Sequence, residues 1–271
     1  MLPHFVIALY RFWHGKLHLK GSGFLLRLCA QVFPGFERYR LNIPDLGRVT
    51  VNLKDSSGIL WLNYSLGEIG QENGMISSIL NLAPNNAVIW DIGANAGFFA
   101  TALIQRLKGY REIRLFEPNP QLIPGLQELT TLLPNAHSHN LALSDKPGIL
   151  TLHVPRRDSS TASFTAAPDS FAVNIECTTG DTFLKNTDSP DPDIVIIDTE
   201  GNDCRVIHGL ADLITRKHPM IFFEHIFETP ETIRRALPQS YRHFTVDDKS
   251  GELLSGLDKN RGHNSVFVPP T

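Results

Sequence analysis

The residues of this chain best placed for chemistry are acids at the ends of apolar runs. Asp91, Glu117 and Asp198 each close a short apolar run, and Glu200 follows two residues after Asp198. Such runs are typical of buried parallel strands. Ligands of an open parallel sheet bind outside the carboxyl ends of its strands. The sequence therefore predicts that these carboxylates gather at one sheet edge, where they require a cation or hydrogen-bond donors.

The first of these acids precedes a turn that contains two glycines. Asp91 is followed by Gly93-Ala94-Asn95-Ala96-Gly97 and then by an apolar run of helical character. Neither glycine carries a Cβ, so the backbone is free to turn sharply and to approach a ligand closely. Strand, tight turn and helix in this order are typical of the first unit of a nucleotide-binding Rossmann-like domain. We expect a nucleoside cofactor to contact Asp91, Gly93, Ala94, Asn95 and Gly97.

The second acid has the position of a ribose-binding carboxylate. Glu117 ends a predicted strand that begins at Ile113, about 20 residues beyond the glycine turn. At this spacing a Rossmann-like domain places the carboxylate that accepts hydrogen bonds from the ribose hydroxyls. Pro118 and Asn119 follow directly and separate the strand from the next helix. The sequence predicts that Glu117 binds the ribose, with Pro118 and Asn119 beside it.

The turn differs from the dinucleotide fingerprint G-x-G-x-x-G. Its second position is Asn95 and its third is Phe98. The fingerprint glycines seat a pyrophosphate on a helix N-terminus, and a bulky aromatic ring at the third position disfavours NAD. S-adenosylmethionine has no pyrophosphate, so the looser turn suits it better. An NAD(P)-dependent oxidoreductase on a similar fold remains the alternative.

Four sequence motifs follow one another in order along the chain. They are Asp-Ile-Gly-Ala-Asn-Ala-Gly (91–97), Phe-Glu-Pro-Asn-Pro (116–120), Leu-Ala-Leu-Ser-Asp (141–145) and Ile-Asp-Thr-Glu-Gly (197–201). Together with residues 264–269, they resemble the FkbM-type family of S-adenosylmethionine-dependent methyltransferases, from about residue 50 to the C-terminus. That family usually has a lysine where this chain has Ile196. A non-catalytic module that binds S-adenosylmethionine is therefore a second alternative.

The resemblance implies an α/β, Rossmann-like methyltransferase fold. Its central sheet would have seven strands, mostly parallel, with an antiparallel last strand, preceded by helical and β elements. The helix predicted over residues 66–82 would lie beside the cofactor, with Glu72 near the methionine end. In such folds the backbone after the third strand, predicted here over 136–143, encloses the adenine. The residues expected there are Ala142, Leu143 and Ser144.

The proton of the acceptor needs a base. A hydroxyl acceptor loses its proton as the methyl group transfers, and histidine, which titrates near neutral pH, is a natural base. His225 ends the predicted fifth strand and is the first candidate, while Asp198, or a metal that it binds, is the competing one. Glu200 completes the predicted catalytic set, and Asp198 is also predicted to bind the cofactor, facing its methyl group. Methyl transfer from a sulfonium depends on in-line approach more than on covalent help.

Residues 1–45 differ in composition from residues 46–271, which we assign to the methyltransferase domain. Residues 1–40 carry six basic side chains and one acid, interleaved with apolar and aromatic residues. The apolar runs are too short to span a bilayer. One interpretation is a basic amphipathic segment that contacts an anionic membrane or a lipid-linked acceptor. The other is a helical cap on the Rossmann-like core or on a second subunit.

Overall composition disfavours several other classes of protein. The net charge of −3 and the isoelectric point near 6.4 give no basic footprint for nucleic acid. The three cysteines form no C-x-x-C pair, which indicates reduced thiols in a cytoplasmic protein and no structural zinc.

Residues 159–163 are rich in serine and threonine and lie between two predicted strands. They form either a mobile loop over the acceptor or a plain exposed loop.

The sequence thus predicts an enzyme that transfers a methyl group from S-adenosylmethionine. The expected acceptor is a hydroxyl of a sugar, a glycan or a secondary metabolite. No motif supports a divalent metal, although one at the acidic sheet edge is compatible with the chemistry.

Overall fold

The computed structural model of the chain describes residues 2–15, 22–70, 72–225, 229–258 and 260–270. Over these residues the helices are α1 (Leu2–Gly15), α2 (Ser22–Val32), α3 (Ser56–Tyr64), α4 (Glu72–Leu82), α5 (Phe98–Ile104), α6 (Ile123–Thr130), α7 (Gly180–Asn186), α8 (Asp203–His208), α9 (Ala211–Lys217) and α10 (Pro230–Ala236). The strands are β1 (Tyr39–Ile43), β2 (Gly47–Val51), β3 (Val88–Ile92), β4 (Glu112–Phe116), β5 (Ala136–His139), β6 (Ala142–Leu143), β7 (Gly148–Pro155), β8 (Ser170–Thr178), β9 (Ile194–Ile197), β10 (Met220–Glu224), β11 (Arg242–Val246), β12 (Leu253–Ser255) and β13 (Asn264–Val268).

The central sheet has the strand order β12-β11-β13-β10-β9-β3-β4-β5. Strands β5, β4, β3, β9 and β10 are parallel, and β13 pairs antiparallel with both β10 and β11. The predicted Rossmann-like sheet with its antiparallel last strand is therefore confirmed. The described sheet has one strand more than the predicted seven, because β12 pairs with β11 at the edge. A strand of three residues is too short to show the alternation that reveals strands in a sequence.

Both faces of this sheet are covered, which explains why the central strands β3 and β9 are apolar except for Asp91. Every residue of β3 and of β9 is buried. Side chains alternate between two core layers: Ile89 and Ile196 pack in one, and Trp90 and Val195 pack in the other. This alternation decides which residues beyond the carboxyl ends of the strands face the same cavity.

The third predicted strand, over 136–143, is split between two sheets. Its first part is β5, at the edge of the central sheet, and its second part is β6, which pairs with β8 in a three-stranded sheet with β7. The chain leaves the central sheet at Asn140, whose side-chain amide donates to the carbonyls of Glu117 and Pro118, each at 3.2 Å. The side-chain amide thus replaces a further strand pair.

The N-terminal elements share a core with the sheet. Ile7 of α1 and Leu26 of α2 are buried in the same apolar cluster as Ile89 of β3. The hairpin of β1 and β2 crosses the predicted boundary between residues 45 and 46. The shared apolar cluster shows that the N-terminal segment packs on the Rossmann-like core, as the cap interpretation requires. Among the described residues, no helix is long and apolar enough to cross a membrane.

The helix predicted over residues 66–82 is shorter in the structure. It begins only at Glu72, as α4, and the preceding helix α3 was not predicted. Gly67 and Gly70 have left-handed φ angles of +88° and +72°, which an α-helix excludes. α4 is therefore a separate element, and its first residue, Glu72, lines the candidate site described next.

Candidate active site

The turn after β3 is held against the ends of two neighbouring strands. The backbone N–H groups of Gly93 and Ala94 donate to the Phe116 carbonyl at 2.9 and 3.0 Å. Gly93 has a φ of +93°, and a Cβ built on it would lie 1.8 Å from the carbonyl oxygen of Asp198. Asn95 is left-handed at +51°, a conformation that asparagine tolerates through local hydrogen bonds. The turn thus requires a residue without Cβ at position 93.

The Glu117 carboxylate is positioned by two backbone N–H groups. Its Oε2 accepts a hydrogen bond from Asn95 N at 2.8 Å, and its Oε1 accepts one from Asn119 N at 2.7 Å. Burial raises the pKa of this carboxyl to about 7, while the two N–H donors lower it. Each oxygen keeps a further lone pair, so the carboxylate is able to accept two more hydrogen bonds. This is the geometry expected of a group that binds a vicinal diol.

A first cavity, with an empty volume of about 570 Å³, lies beside Glu117. Its walls include Pro118, Ala142 and Leu143, which the sequence had assigned to the cofactor site. Asn202 also lines it and donates from its side-chain amide to the Leu143 carbonyl at 2.8 Å.

Six residues predicted to bind the cofactor lie outside the lining of this cavity; Glu72, Asp91 and Ala94 line a second cavity described below, and three residues line neither. Ser144 is buried, and its hydroxyl contacts Asp145 at 3.2 Å and Asn202 at 3.3 Å. Asn119 is fully buried and supports Glu117 from behind. Gly97 precedes α5, where an added Cβ would meet the side chain of Leu129 at 2.3 Å. These residues shape the site, and direct contact with a cofactor stays a prediction for them.

The serine- and threonine-rich stretch forms a roof over the site. Residues 159–161 make one 3-10 turn. The carbonyl of Ser159 accepts from the Asn119 amide at 2.8 Å, and that of Ser160 accepts from the Asn95 amide at 2.7 Å. Asp55 accepts from the backbone N–H and hydroxyl of Ser159 at 2.9 and 2.7 Å. The stretch is therefore tied to the glycine turn on one side and to the N-terminal elements on the other.

A second cavity, with an empty volume of about 880 Å³, adjoins the first and is acidic. Gly93, Asn95, Ser160, Asp198 and Glu200 line both cavities. The carboxylates of the second cavity are Glu72, Asp91, Asp198, Glu200 and Glu224. The predicted gathering of acids is thus present, with Glu117 in the lining of the first cavity and Asp91 in that of the second.

Burial and mutual repulsion raise the pKa values of these acids. For Asp91 burial comes first, followed by Glu72 and Glu117, and its pKa rises to about 7. Its Oδ2 is buried and has no hydrogen-bond partner among the described residues. The side chain of Asp198 is exposed to the cavities. Loss of hydration among the surrounding residues raises its pKa most, followed by repulsion from Glu224 and Glu200. A cationic ligand would satisfy both the orphan oxygen and the repulsion.

The alternation along β10 separates Glu224 from His225. Glu224 shares a face with Phe222 and lines the second cavity. His225 points with Phe223 toward the opposite core layer, where its Nδ1 lies 3.0 Å from the Ser265 hydroxyl. Its side chain lies outside the lining of both cavities, so the structure does not bring this predicted base to the site.

Sequence reasoning missed Glu224, although a signal was present. Phe222 pairs with Ile196, so Glu224 continues the β10 face that neighbours Asp198, which directly follows β9. Glu224 also pairs with Asn264 of β13, a second missed residue that lines the cavity. Burial, followed by Glu72 and Glu200, raises the pKa of Glu224 to about 7. A carboxyl with this pKa is suited to exchange a proton near neutral pH.

The floor of the second cavity is apolar where a lysine was expected from the resemblance. Ile196 is buried and lines the cavity, and none of the described residues in that lining is a lysine or arginine.

Within the described parts of the chain, no group of three or more histidine, cysteine or acidic residues is placed to hold a metal ion. Phe98 packs edge-on against Trp61 and Tyr64, with ring centroids 5.8 and 5.6 Å away. Phe98, which stands at the third position of the dinucleotide fingerprint, is thus part of an aromatic cluster.

Comparison with known proteins shows that this chain is similar to methyltransferases in sequence and in structure. Hexuronic acid methyltransferase AglP of Haloferax volcanii is 22% identical over 185 residues, which are 65% of this chain and 72% of that protein. A crystal structure of methyltransferase FkbM from Methylobacillus flagellatus is 15% identical, with a TM-score of 0.48 over 94% of this chain. This chain spans 60% of that structure's length. N-methyltransferase NodS of Bradyrhizobium japonicum is 10% identical, with a TM-score of 0.41 over 74% of this chain and 94% of that chain.

The sequence profile of the methyltransferase FkbM domain matches residues 91–245, more than half of the 271 residues. The match begins at Asp91 and contains the glycine turn, Glu117, Asp198 and Glu224. This protein therefore belongs to the family of methyltransferases with an FkbM domain.

Proposed function

We propose that this chain transfers a methyl group from S-adenosylmethionine to a hydroxyl of a neutral sugar or glycan. One observation carries the proposal: the first cavity, with Glu117, adjoins the acidic second cavity, and five residues line both. A ligand whose ribose is held by Glu117 would thus extend toward Asp91. The relative AglP is named for a hexuronic acid substrate, which supports a sugar as the class of acceptor.

The residues present offer partners to the ribose, the adenine and the ammonium group of this cofactor. Glu117 offers two fixed carboxylate oxygens to ribose hydroxyls, and Ala142 and Leu143 offer apolar walls to the adenine. The buried, unpartnered Oδ2 of Asp91 lies in the second cavity with Glu72, where an ammonium group would find hydrogen-bond acceptors. When bound, S-adenosylmethionine supplies a methyl group made electrophilic by its positive sulfonium.

Glu224 is the base that the geometry favours. It lines only the second cavity, whereas Asp198 and Glu200 line both cavities and therefore lie at their junction. An acceptor hydroxyl in the second cavity would donate to Glu224 and give up its proton there. The raised pKa, about 7, strengthens this carboxylate as a base in its ionised form. Asp198 and Glu200 would orient the acceptor and stabilise positive charge at the junction.

The charge of the second cavity disfavours an acidic acceptor. Five carboxylates line it, and Ile196 occupies the position where the family usually has a lysine. A sugar carboxylate there would add to the repulsion that already raises the pKa values of Asp198 and Glu224. Neutral sugar hydroxyls, in contrast, are donors that buried carboxylates accept. We therefore infer that this chain prefers a neutral sugar over a uronic acid.

Calorimetric titration with S-adenosylhomocysteine tests the cofactor first. Wild-type protein should bind it, and Glu117→Ala should lose at least about tenfold in affinity because hydrogen bonds to a charged group are removed. Glu176 is an exposed acid on β8, so Glu176→Ala serves as the matched control and should bind like wild type. Folded wild-type protein without any affinity would refute the proposal.

A panel of acceptors then tests the reaction. Formation of S-adenosylhomocysteine should be faster with neutral sugars and glycans than with uronic acids of the same ring. Equal or higher rates with uronic acids would contradict the charge argument. Binding of the cofactor without turnover of any acceptor would instead favour the non-catalytic module.

A further inference from the structure

Large exposed apolar side chains are concentrated on α1 and α2. Among the described residues, eight of the twelve such side chains lie between residues 2 and 33. Phe5 and Phe24 are 67% and 71% exposed. Single exposed apolar residues are normal on a protein surface, whereas a concentration of this size marks an interaction surface.

The exposed apolar residues lie on one side of each helix. On α1 they recur at Leu2, Phe5 and Phe12, while the opposite side buries Ile7 and Tyr10. On α2 the exposed set alternates in the same way with buried Leu26 and Ala30. We call the exposed set the docking face; it consists of Leu2, Phe5, Phe12, Phe24, Leu25, Leu28, Val32 and Phe33.

Polar contacts hold the inner sides of both helices on the protein. The Tyr10 hydroxyl of α1 donates to the Asn63 side chain at 2.5 Å. Arg27 of α2 forms a 2.8 Å ion pair with Asp158, next to the roof of the site. The helices are thus fixed by one side, and the docking face points away from the core.

The charge of this region complements an anionic surface. Residues 1–36 contain the basic residues Arg11, Lys16, Lys20 and Arg27 and no acid. Basic residues beside an apolar helix face attract anionic lipid headgroups while the apolar side chains enter the boundary with the acyl chains. A symmetric contact with a second copy would instead bring two sets of cations together without any acid from this segment.

We propose that the docking face binds the surface of an anionic lipid bilayer, with α1 and α2 lying in the interface. No helix of the described residues is long and apolar enough to span a membrane, so the contact is peripheral. Leu60 of α3 is also exposed and lines the second cavity, and its neighbour Ile59 lies 3.6 Å from a Cβ built on Gly23 of α2. The bilayer would therefore lie near the mouth that receives the acceptor, a consequence that rests on the proposed function, whereas the docking does not.

Vesicle flotation with the full chain tests this proposal without any activity measurement. The vesicles contain phosphatidylcholine alone or with phosphatidylglycerol. Wild-type protein should float at least about tenfold more with the anionic vesicles, and high salt should reduce the difference. The double variant Phe5→Ser, Phe24→Ser should lose at least about tenfold of that binding, because two exposed rings no longer enter the interface.

Ile149→Ser provides the matched control. Ile149 is 64% exposed on β7, far from the docking face in sequence, and its substitution should leave flotation unchanged. Circular dichroism and S-adenosylhomocysteine binding confirm that each variant is folded. Equal flotation of wild type with neutral and anionic vesicles, or unchanged flotation of the double variant, would overturn the proposal. A wild-type dimer that the double variant dissociates, without vesicle binding, would assign the face to a second copy instead.

Discussion

The substitution Gly93→Ala tests whether the close approach of β9 to the turn after β3 builds the site. The added methyl group would lie 1.8 Å from the Asp198 carbonyl oxygen, well below the 3.0 Å that real Cβ atoms keep. Turn and strand would have to separate by more than about 1 Å. The left-handed φ of +93° costs a further ~1–2 kcal/mol for alanine, and overpacking costs ~1–3 kcal/mol. We expect the free energy of unfolding to fall by ~2–5 kcal/mol.

Substitutions at two other glycines separate the contributions of backbone strain and of overpacking to this loss of unfolding free energy. Gly67 has a similar φ of +88° but nothing within 4 Å of an added Cβ, so Gly67→Ala should cost only the backbone strain, ~1–2 kcal/mol. Gly125 lies in α6 with no neighbour within 4 Å and no left-handed φ. Gly125→Ala should therefore stabilise the protein by ~0.5–1 kcal/mol, since alanine is the better helix former.

Urea unfolding followed by tryptophan fluorescence gives the three free energies, and calorimetry gives the affinity for S-adenosylhomocysteine. Only Gly93→Ala should also lose affinity, by at least about tenfold, because moving the turn displaces the N–H group that holds Glu117. If Gly93→Ala matches Gly67→Ala in both measurements, the contact with Asp198 has no part in building the site, and the reasoning is wrong.

Three further variants, with His225→Gln as a control, test two acids and the buried Ile196 of the second cavity. The pKa of Asp91 is raised to about 7, so the ligand-free protein should lose stability as the pH rises from about 4 to about 7; Asp91→Asn should flatten that fall in melting temperature. Glu224→Gln should lower kcat about 10²- to 10⁴-fold and remove its rise with pH near 7, with unchanged S-adenosylhomocysteine affinity, whereas His225→Gln should keep that pH profile. Ile196→Lys should shift the acceptor preference from neutral sugars toward uronic acids, measured as the ratio of kcat/KM values.

The closeness of the glycine turn and Glu117 could be predicted because the signals for both are local in sequence. Gly93 and Asn95 follow Asp91 directly, and Glu117 lies at a spacing that the Rossmann-like unit imposes. The structure adds the contacts that no local pattern contains. The hydrogen bond from Asn95 N to Glu117 joins two motifs, and the roof at Ser160 comes from a segment that follows a different sheet.

The lining of the second cavity was harder to predict because it depends on strand register and on distant elements. His225 is the more familiar base by residue type, but the alternation of β10 turns it to the opposite side and turns Glu224 toward the cavity. That alternation was available from the sequence once the strand was recognised. The helix α3 and the short strand β12 were missed for another reason, since neither has a clear amphipathic or alternating pattern.

The raised pKa values of the acids in the ligand-free protein predict that cofactor binding depends on pH. Burial raises the pKa values of Asp91, Glu117 and Glu224 to about 7, so each is partly protonated at neutral pH. A cation beside Asp91 favours its ionised form, and ribose hydroxyls that donate to Glu117 do the same there. Binding should therefore release protons, and affinity should rise with pH up to about 7 and then level off. Calorimetry in buffers of different ionisation enthalpy measures this release directly. S-adenosylhomocysteine lacks the sulfonium charge but keeps the ammonium and ribose, so Asp91→Asn should reduce its proton release, and an undiminished release would show that the protons come from other groups.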